Sequence, residues 1–193
     1  VPPDSLTLTV ETASGLREVR LYKRNGIVRA AAVDMGQARF ESMAIPVELP
    51  VPRVVDYPVE IGRGSRITCV NVGNPHAVAF VEDVDTLDVA AEGAALERAP
   101  IFPERVNAEF VRVLDETTLR MRVWERGNGE TWACGTGACA AVAAAVENGL
   151  CAADTDVAVK VAGGALIVRY AAADGTLRMR TDVDLVFEGV VEL

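Results

Sequence analysis

The sequence predicts an α+β fold in which a curved β-sheet or barrel wraps around one buried central helix. Three observations predict it. Residues 136–148 form an alanine-rich segment that is apolar and small on every side, and a helix of that kind must be enclosed rather than laid on a surface. Short alternating segments, the mark of strands, fill most of the remaining chain. Strands and helices do not alternate regularly, which disfavours a doubly wound sheet.

The elements follow in order. The segment 5–11 alternates through Leu6, Thr7, Leu8, Thr9 and Val10, and Ser14-Gly15 marks a turn. Segments 17–22 and 27–33 flank Asn25-Gly26, a dipeptide that accepts positive φ at both turn positions and so predicts a tight hairpin. Residues 41–58 carry Pro46, Pro50, Pro52 and Pro58, which opposes a central strand or a helix and predicts a linker into a second unit. Strands are expected at 66–72 and 77–81. Leu87, Ala90, Ala91, Ala94 and Ala95 recur at three- and four-residue spacing, predicting a helix over 84–98 that Gly93 weakens. Strands 108–114 and 119–125 are joined by Asp115-Glu116-Thr117. The helix over 136–148 ends at Gly149, a residue suited to cap it. Further strands are expected at 157–161, 165–171, 177–180 and 185–190. No repeat at a solenoid period is present.

Composition bounds the function. The chain has 193 residues, 28 acidic and 19 basic side chains, and a formal net charge of −9. Half of it is hydrophobic and 24% is charged, which excludes a disordered or collagen-like chain. The acidic excess opposes a phosphate backbone, so no nucleic-acid partner is expected. No apolar run approaches the roughly 18–20 residues of a bilayer span, so no membrane partner is expected. Val1-Pro2-Pro3-Asp4-Ser5 has neither the basic nor the apolar region of a signal peptide. A cytoplasmic location is therefore expected, with Cys69, Cys134, Cys139 and Cys151 reduced and no metal-like CxxC pair among them. The first methionine is Met35, which predicts a chain that was processed or cut from something longer.

The chemistry concentrates at 122–140. A strand ends in Glu125-Arg126, a glycine-containing loop follows, and Cys134 stands just ahead of the enclosed helix. Unpaired backbone N–H groups and the positive end of the helix macrodipole favour a thiolate there, predicting a pKa below the reference of about 8.5 by a unit or more. Gly135, Thr136 and Gly137 leave the backbone uncovered, so a small anion can approach their N–H groups. A cysteine alone reads more readily as an inert core residue; the glycines and the Glu-Arg pair favour the reactive reading. Cys139, inside the helix, reads as core packing, and Cys69 and Cys151 read as structural. A second cluster, Gly73-Asn74-Pro75-His76, holds the only histidine and presents polar groups at a sheet end. A third, Phe102-Pro103-Glu104-Arg105-Val106-Asn107, leads Asn107 into a strand, although an asparagine is also an ordinary turn residue. Nucleophile-elbow, P-loop, HExxH and dinucleotide signatures are absent.

Taken together, Gly73-Asn74-Pro75-His76, 102–107, Glu125-Arg126-Gly127 and Ala133-Cys134-Gly135-Thr136-Gly137-Ala138 resemble diaminopimelate epimerase. The resemblance runs over nearly the whole chain. It implies a two-lobed architecture, each lobe a barrel-like sheet around a central helix with one catalytic cysteine. Residues 1–35 resemble the tail of the first lobe and 36–182 the second, with a final strand over 183–193 returning to the first. The front of the first lobe, with its cysteine, is then a missing partner. The resemblance also implies roles. Cys134 would be one of two opposed acid–base cysteines, with Glu125 and His76 adjusting thiol protonation. Asn74, Asn107, Glu125 and Arg126 would grip the distal amino acid end of the substrate, and the amides of Gly135 and Thr136 would bind the carboxylate at the reacting carbon. The implied reaction inverts one α-carbon of LL-diaminopimelate to the meso form, without metal or cofactor, in lysine and peptidoglycan precursor synthesis. A homodimer is implied as well. Two other readings compete: a racemase of the same fold acting on histidine or proline derivatives, and a non-catalytic binding module.

Overall fold

The computed structural model describes residues 5–12 and 15–191. Its strands are β1 (Ser5–Thr12), β2 (Gly15–Arg24), β3 (Ile27–Gln37), β4 (Tyr57–Val59), β5 (Ser65–Asn71), β6 (Pro75–Phe80), β7 (Asn107–Asp115), β8 (Thr118–Glu125), β9 (Gly129–Thr131), β10 (Asp156–Val161), β11 (Gly164–Tyr170) and β12 (Thr176–Asp182). Two helices accompany them, α1 (Val89–Glu97) and α2 (Gly135–Glu147). The strands join one curved, open sheet in the order β1-β2-β3-β12-β11-β10-β8-β7-β6-β5-β4, with β9 added to β8. This is the expected α+β class. The two parallel pairings, β6 with β7 and β8 with β10, are the ones bridged by α1 and α2.

Local rules account for most elements. Asn25 and Gly26 take φ of 55° and 74°, both positive, so β2 turns directly into β3 with Arg24 opposite Ile27. Helix α2 is built from alanine, the strongest helix former. At its end Leu150 N–H reaches Ala145 O at 2.8 Å and Gly149 N–H reaches Val146 O at 3.0 Å, with Gly149 at φ 69°. That is a Schellman cap, and it requires the left-handed residue that glycine supplies. Ser14 of the expected first turn lies outside the described residues.

Strand alternation sends alternate residues to two cores. Val70, Val78, Val111, Leu119, Met121 and Val123 face α2, whose residues Ala138 to Ala145 are all fully buried. Ile67, Cys69, Ala77, Ala79, Ala108 and Phe110 face the other way, toward α1 and the segment 45–54. Small side chains let β5, β6, β7, β8, β10, β11 and β12 all approach α2. The enclosed helix is thus as the sequence predicts.

Four features differ from expectation. Segment 41–58 is not a linker: Ile45 and Val54 are fully buried. Its backbone is satisfied by bonds such as Ser42 N–H to Pro52 O (2.9 Å) and Glu48 N–H to Ile101 O (2.8 Å). Proline excludes regular structure there without excluding burial, and Pro58 itself sits in the edge strand β4. Helix α1 starts at Val89 rather than 84, because Asp88 caps it by accepting from Ala91 N–H at 3.0 Å. The short strand β9 had no sequence signal. Residues 183–191 form no strand; after Val183 N–H bonds Arg29 O, the side chains of Leu185, Val186 and Phe187 are exposed, with no neighbouring strand among the described residues to complete a ladder. Strand β3 runs through residue 35 and pairs with β12 from Gln37 to Ala30.

Gly93, read from the sequence as a weakness in α1, is where that helix meets Trp124. A Cβ at 93 would overlap the Trp124 Cβ and lie 2.5 Å from its Cγ. Alanine gains up to about 1 kcal/mol of helix propensity, but overpacking against a strand residue costs about 1–3 kcal/mol. Gly93→Ala should therefore unfold at lower urea concentration than the parent protein, and equal or greater stability would contradict this packing.

Candidate active site

The sheet topology gathers the sequence motifs at one end. Parallel β6 and β7 both begin there, with His76 paired to Asn107, and antiparallel β8 ends there one step beyond the Ala108–Trp124 pair. The β8–β9 hairpin leads back to Cys134 at the start of α2. His76, Asn107, Glu125 and Cys134 therefore converge although 58 positions of sequence separate the first from the last.

Cys134 is the N-cap of α2. Its backbone is extended, and its Sγ accepts from Gly137 N–H at 3.4 Å and lies 3.5 Å from Thr136 Oγ1. The placement at the amide end of the helix agrees with the sequence reading, but the acidity does not. Burial pushes the Cys134 thiol up to about 11, and the neighbouring Glu109 and Glu125 push the same way, against the opposing bonds from Thr136 and Gly137. A helix end is worth about 0.3–1 kcal/mol, less than one pKa unit at about 1.4 kcal/mol each, so desolvation wins. Cys134 rests as a thiol. Cys139 is fully buried among the alanines and its thiol is raised to about 12 by burial, in keeping with a packing role. All four cysteines are free.

His76 is fully buried. Its Nδ1 lies 2.7 Å from Glu109 Oε1 and its Nε2 lies 2.9 Å from Asn74 Oδ1. Glu109 was not singled out from the sequence. It is fully buried, its Oε2 has no hydrogen-bond partner among the described residues, and a Cβ on Gly137 would stand 2.8 Å from its Oε1. Gly137 thus lets the first turn of α2 back directly onto this carboxylate, where the helix dipole favours negative charge. The signal was available: Asn107, Glu109 and Val111 share one strand face, so a glutamate in an otherwise buried run, Ala108-Glu109-Phe110-Val111, is an unusual occupant.

Asn107 ties two motifs together. Its Nδ2 donates to Pro75 O at 3.0 Å and its Oδ1 accepts from Arg126 N–H at 2.8 Å. Arg126 Nη1 in turn donates to Glu104 O at 2.8 Å. Glu125 accepts a hydrogen bond from the Thr131 hydroxyl across the hairpin. Gly135 and Thr136 hold the first amides of α2, which have no intrahelical acceptor. A cleft of about 320 Å³ opens beside them, with Asn74, Gly73 and Thr136 on one wall and Arg17, Val33 and Met35 of β2 and β3 on the other. Among the described residues no group of histidine, cysteine and carboxylate side chains is arranged to hold a metal ion, and no helix is long and apolar enough to cross a membrane.

Comparison with known proteins bears on this arrangement. Residues 68–186 match the family model for diaminopimelate epimerase. The chain is 43% identical over 187 residues to the diaminopimelate epimerase of Acetivibrio thermocellus, covering 96% of this chain and 66% of the relative. It is 46% identical over 186 residues to that of Geobacillus kaustophilus, covering 95% and 64%. The chain thus spans about two thirds of the length of these curated relatives. Among solved structures, a probable proline racemase from Agrobacterium radiobacter K84 superposes with a TM-score of 0.72 at 16% identity, over 100% of this chain and 62% of that one, which shows a shared fold.

With a thiol near 11, the Cys134 thiolate fraction at pH 8 is about one in a thousand. Alkylation of Cys134, followed by mass spectrometry of the native protein, should therefore accelerate about tenfold per pH unit between pH 8 and 10. A rate already level below pH 9 would contradict the buried thiol.

Proposed function

Since this chain belongs to the diaminopimelate epimerase family, we propose that it supplies one half of the site that inverts an α-carbon of diaminopimelate. The observation that carries this reading is the Cys134 thiol, which caps α2 next to the first-turn amides of Gly135 and Thr136, with Thr136 on the wall of a cleft. Inversion must remove a weakly acidic proton from one face of the carbon and deliver another to the opposite face. Cys134, resting as a thiol, is suited to deliver. A second group, deprotonated and on the far side, must remove; in this reading it is a cysteine of an N-terminal lobe to which residues 1–35 and 183–193 also belong, while 36–182 form the second lobe.

The electrostatics divide accordingly. The substrate α-carboxylate would lie on the amides of Gly135 and Thr136, where the helix end stabilises charge that spreads onto its oxygens as the carbon loses its proton. As Cys134 gives up its proton, the Gly137 N–H and the Thr136 hydroxyl take up the thiolate. His76, fixed between Glu109 and Asn74, and Glu125 would set the field at the sulfur. Asn74, Asn107, Glu125 and Arg126 would hold the distal amino and carboxylate groups, which selects a diamino dicarboxylate over proline or histidine. The cytoplasm and a homodimer remain part of this reading.

The full-length protein in deuterated water should invert LL-diaminopimelate and place solvent deuterium at the α-carbon of the product. Cys134→Ser should lower that rate by about 10²–10⁴-fold or more, the range for losing a positioned acid or base. This chain assayed without the rest of the protein should show no turnover. Retention of activity within about tenfold in Cys134→Ser, or turnover of proline in place of diaminopimelate, would contradict the reading.

A further inference from the structure

Outside the groups just assigned, the most heavily engaged buried carboxylate is Glu97. It is the last residue of α1 and is 2% exposed. An acidic side chain at a helix C-terminus faces the negative end of the dipole, so helix formation gives no reason for it. Its partners do. Oε2 accepts from the Trp124 indole N–H at 2.7 Å, and Oε1 accepts from Gly127 N–H at 3.0 Å and from Arg105 Nη1 at 3.4 Å. Burial alone would raise this carboxyl; the bonds from Trp124 and Gly127 and the charges of Arg105 and Arg98 outweigh burial and hold it below its ordinary value.

The partners lie on either side of one pair of residues. Trp124 and Gly127 bracket Glu125-Arg126, and Asn128 N–H closes the turn on Glu125 O at 2.9 Å. Gly93 and Glu97 are four residues apart and so share one face of α1. Gly93 admits the Trp124 side chain, and Glu97 takes its N–H. Through Arg105 the same carboxylate reaches the 102–107 loop, whose Glu104 carbonyl anchors the Arg126 guanidinium. One buried side chain therefore joins the two loops that place Arg126.

We infer that Glu97 is a positioning residue for substrate specificity: it fixes the Glu125–Gly129 turn so that Arg126 meets the distal carboxylate of a diamino dicarboxylate. This rests on the reading that Arg126 grips that end. Glutamine is the informative replacement. Both strong partners of the carboxylate are donors, so the side-chain amide introduced by Glu97→Gln must turn its own N–H₂ toward one of them and lose that bond.

The test uses the full-length protein. Glu97→Gln should raise KM for diaminopimelate about tenfold or more while kcat stays within about threefold. The effect should vanish in an Arg126→Ala background, where further loss of position has nothing to act on. Hydrogen exchange of the 126–128 amides, read without any ligand, should speed up at least about tenfold in Glu97→Gln. In Trp124→Phe the glutamine N–H₂ no longer opposes an indole N–H, so the added Glu97→Gln change should cost less than about threefold in KM; this pair also serves if the single variant does not fold. Unchanged exchange at 126–128, or a KM effect that adds in full to Arg126→Ala, would overturn the inference. Failure of the parent protein to turn over diaminopimelate would instead overturn the functional reading, and exchange would still decide whether Glu97 holds the turn.

Discussion

The structure depends on a helix small enough to be surrounded. Helix α2 presents alanine, cysteine and valine on all sides, and only side chains of that size let seven strands close in on one cylinder. Its amide end then has one outlet, at the sheet end where β6 and β7 begin and β8 finishes. Cys134 occupies that outlet. Burial of the helix and placement of the Cys134 sulfur are thus one constraint, and the raised pKa of the thiol is its electrostatic consequence.

A second layer supports this outlet. Behind the sulfur, Glu109, His76 and Asn74 form a hydrogen-bonded line reaching from the first turn of α2 to the Gly73–His76 loop. Beside it, Asn107 and Glu97 bind backbone N–H groups of the Glu125–Gly129 turn. Side chains that serve backbone amides hold geometry more firmly than exposed ion pairs do, because each removes a buried donor's desolvation cost. The exposed pairs elsewhere, such as Arg169–Asp156 on the sheet surface, contribute little by comparison.

Much of this was legible in the chain, for reasons that differ by element. The enclosed helix, its glycine cap and the Asn25-Gly26 hairpin follow from local rules, and the structure has them. The convergence of four motifs was legible only as resemblance, because β6, β7 and β8 become neighbours through pairing that no local pattern encodes. Where local rules compete with burial, they lost. Prolines at 46–58 predicted a linker, yet Ile45 and Val54 reach the core. The helix dipole predicted an acidic Cys134, yet desolvation exceeded it. Gly93 read as a flaw in α1 because its reason, Trp124, lies 31 positions away in the sequence. Glu97 and Glu109 passed unnoticed because a carboxylate is ordinarily a surface residue, and only the strand face or helix face it occupies reveals otherwise.

The most direct test of the central claim is a crystal structure of the full-length protein with diaminopimelate bound. Cys134 Sγ should lie about 3–3.5 Å from one α-carbon, with the adjoining carboxylate on the N–H groups of Gly135 and Thr136. A ligand whose carboxylate binds elsewhere, with the sulfur turned away from either α-carbon, would contradict it.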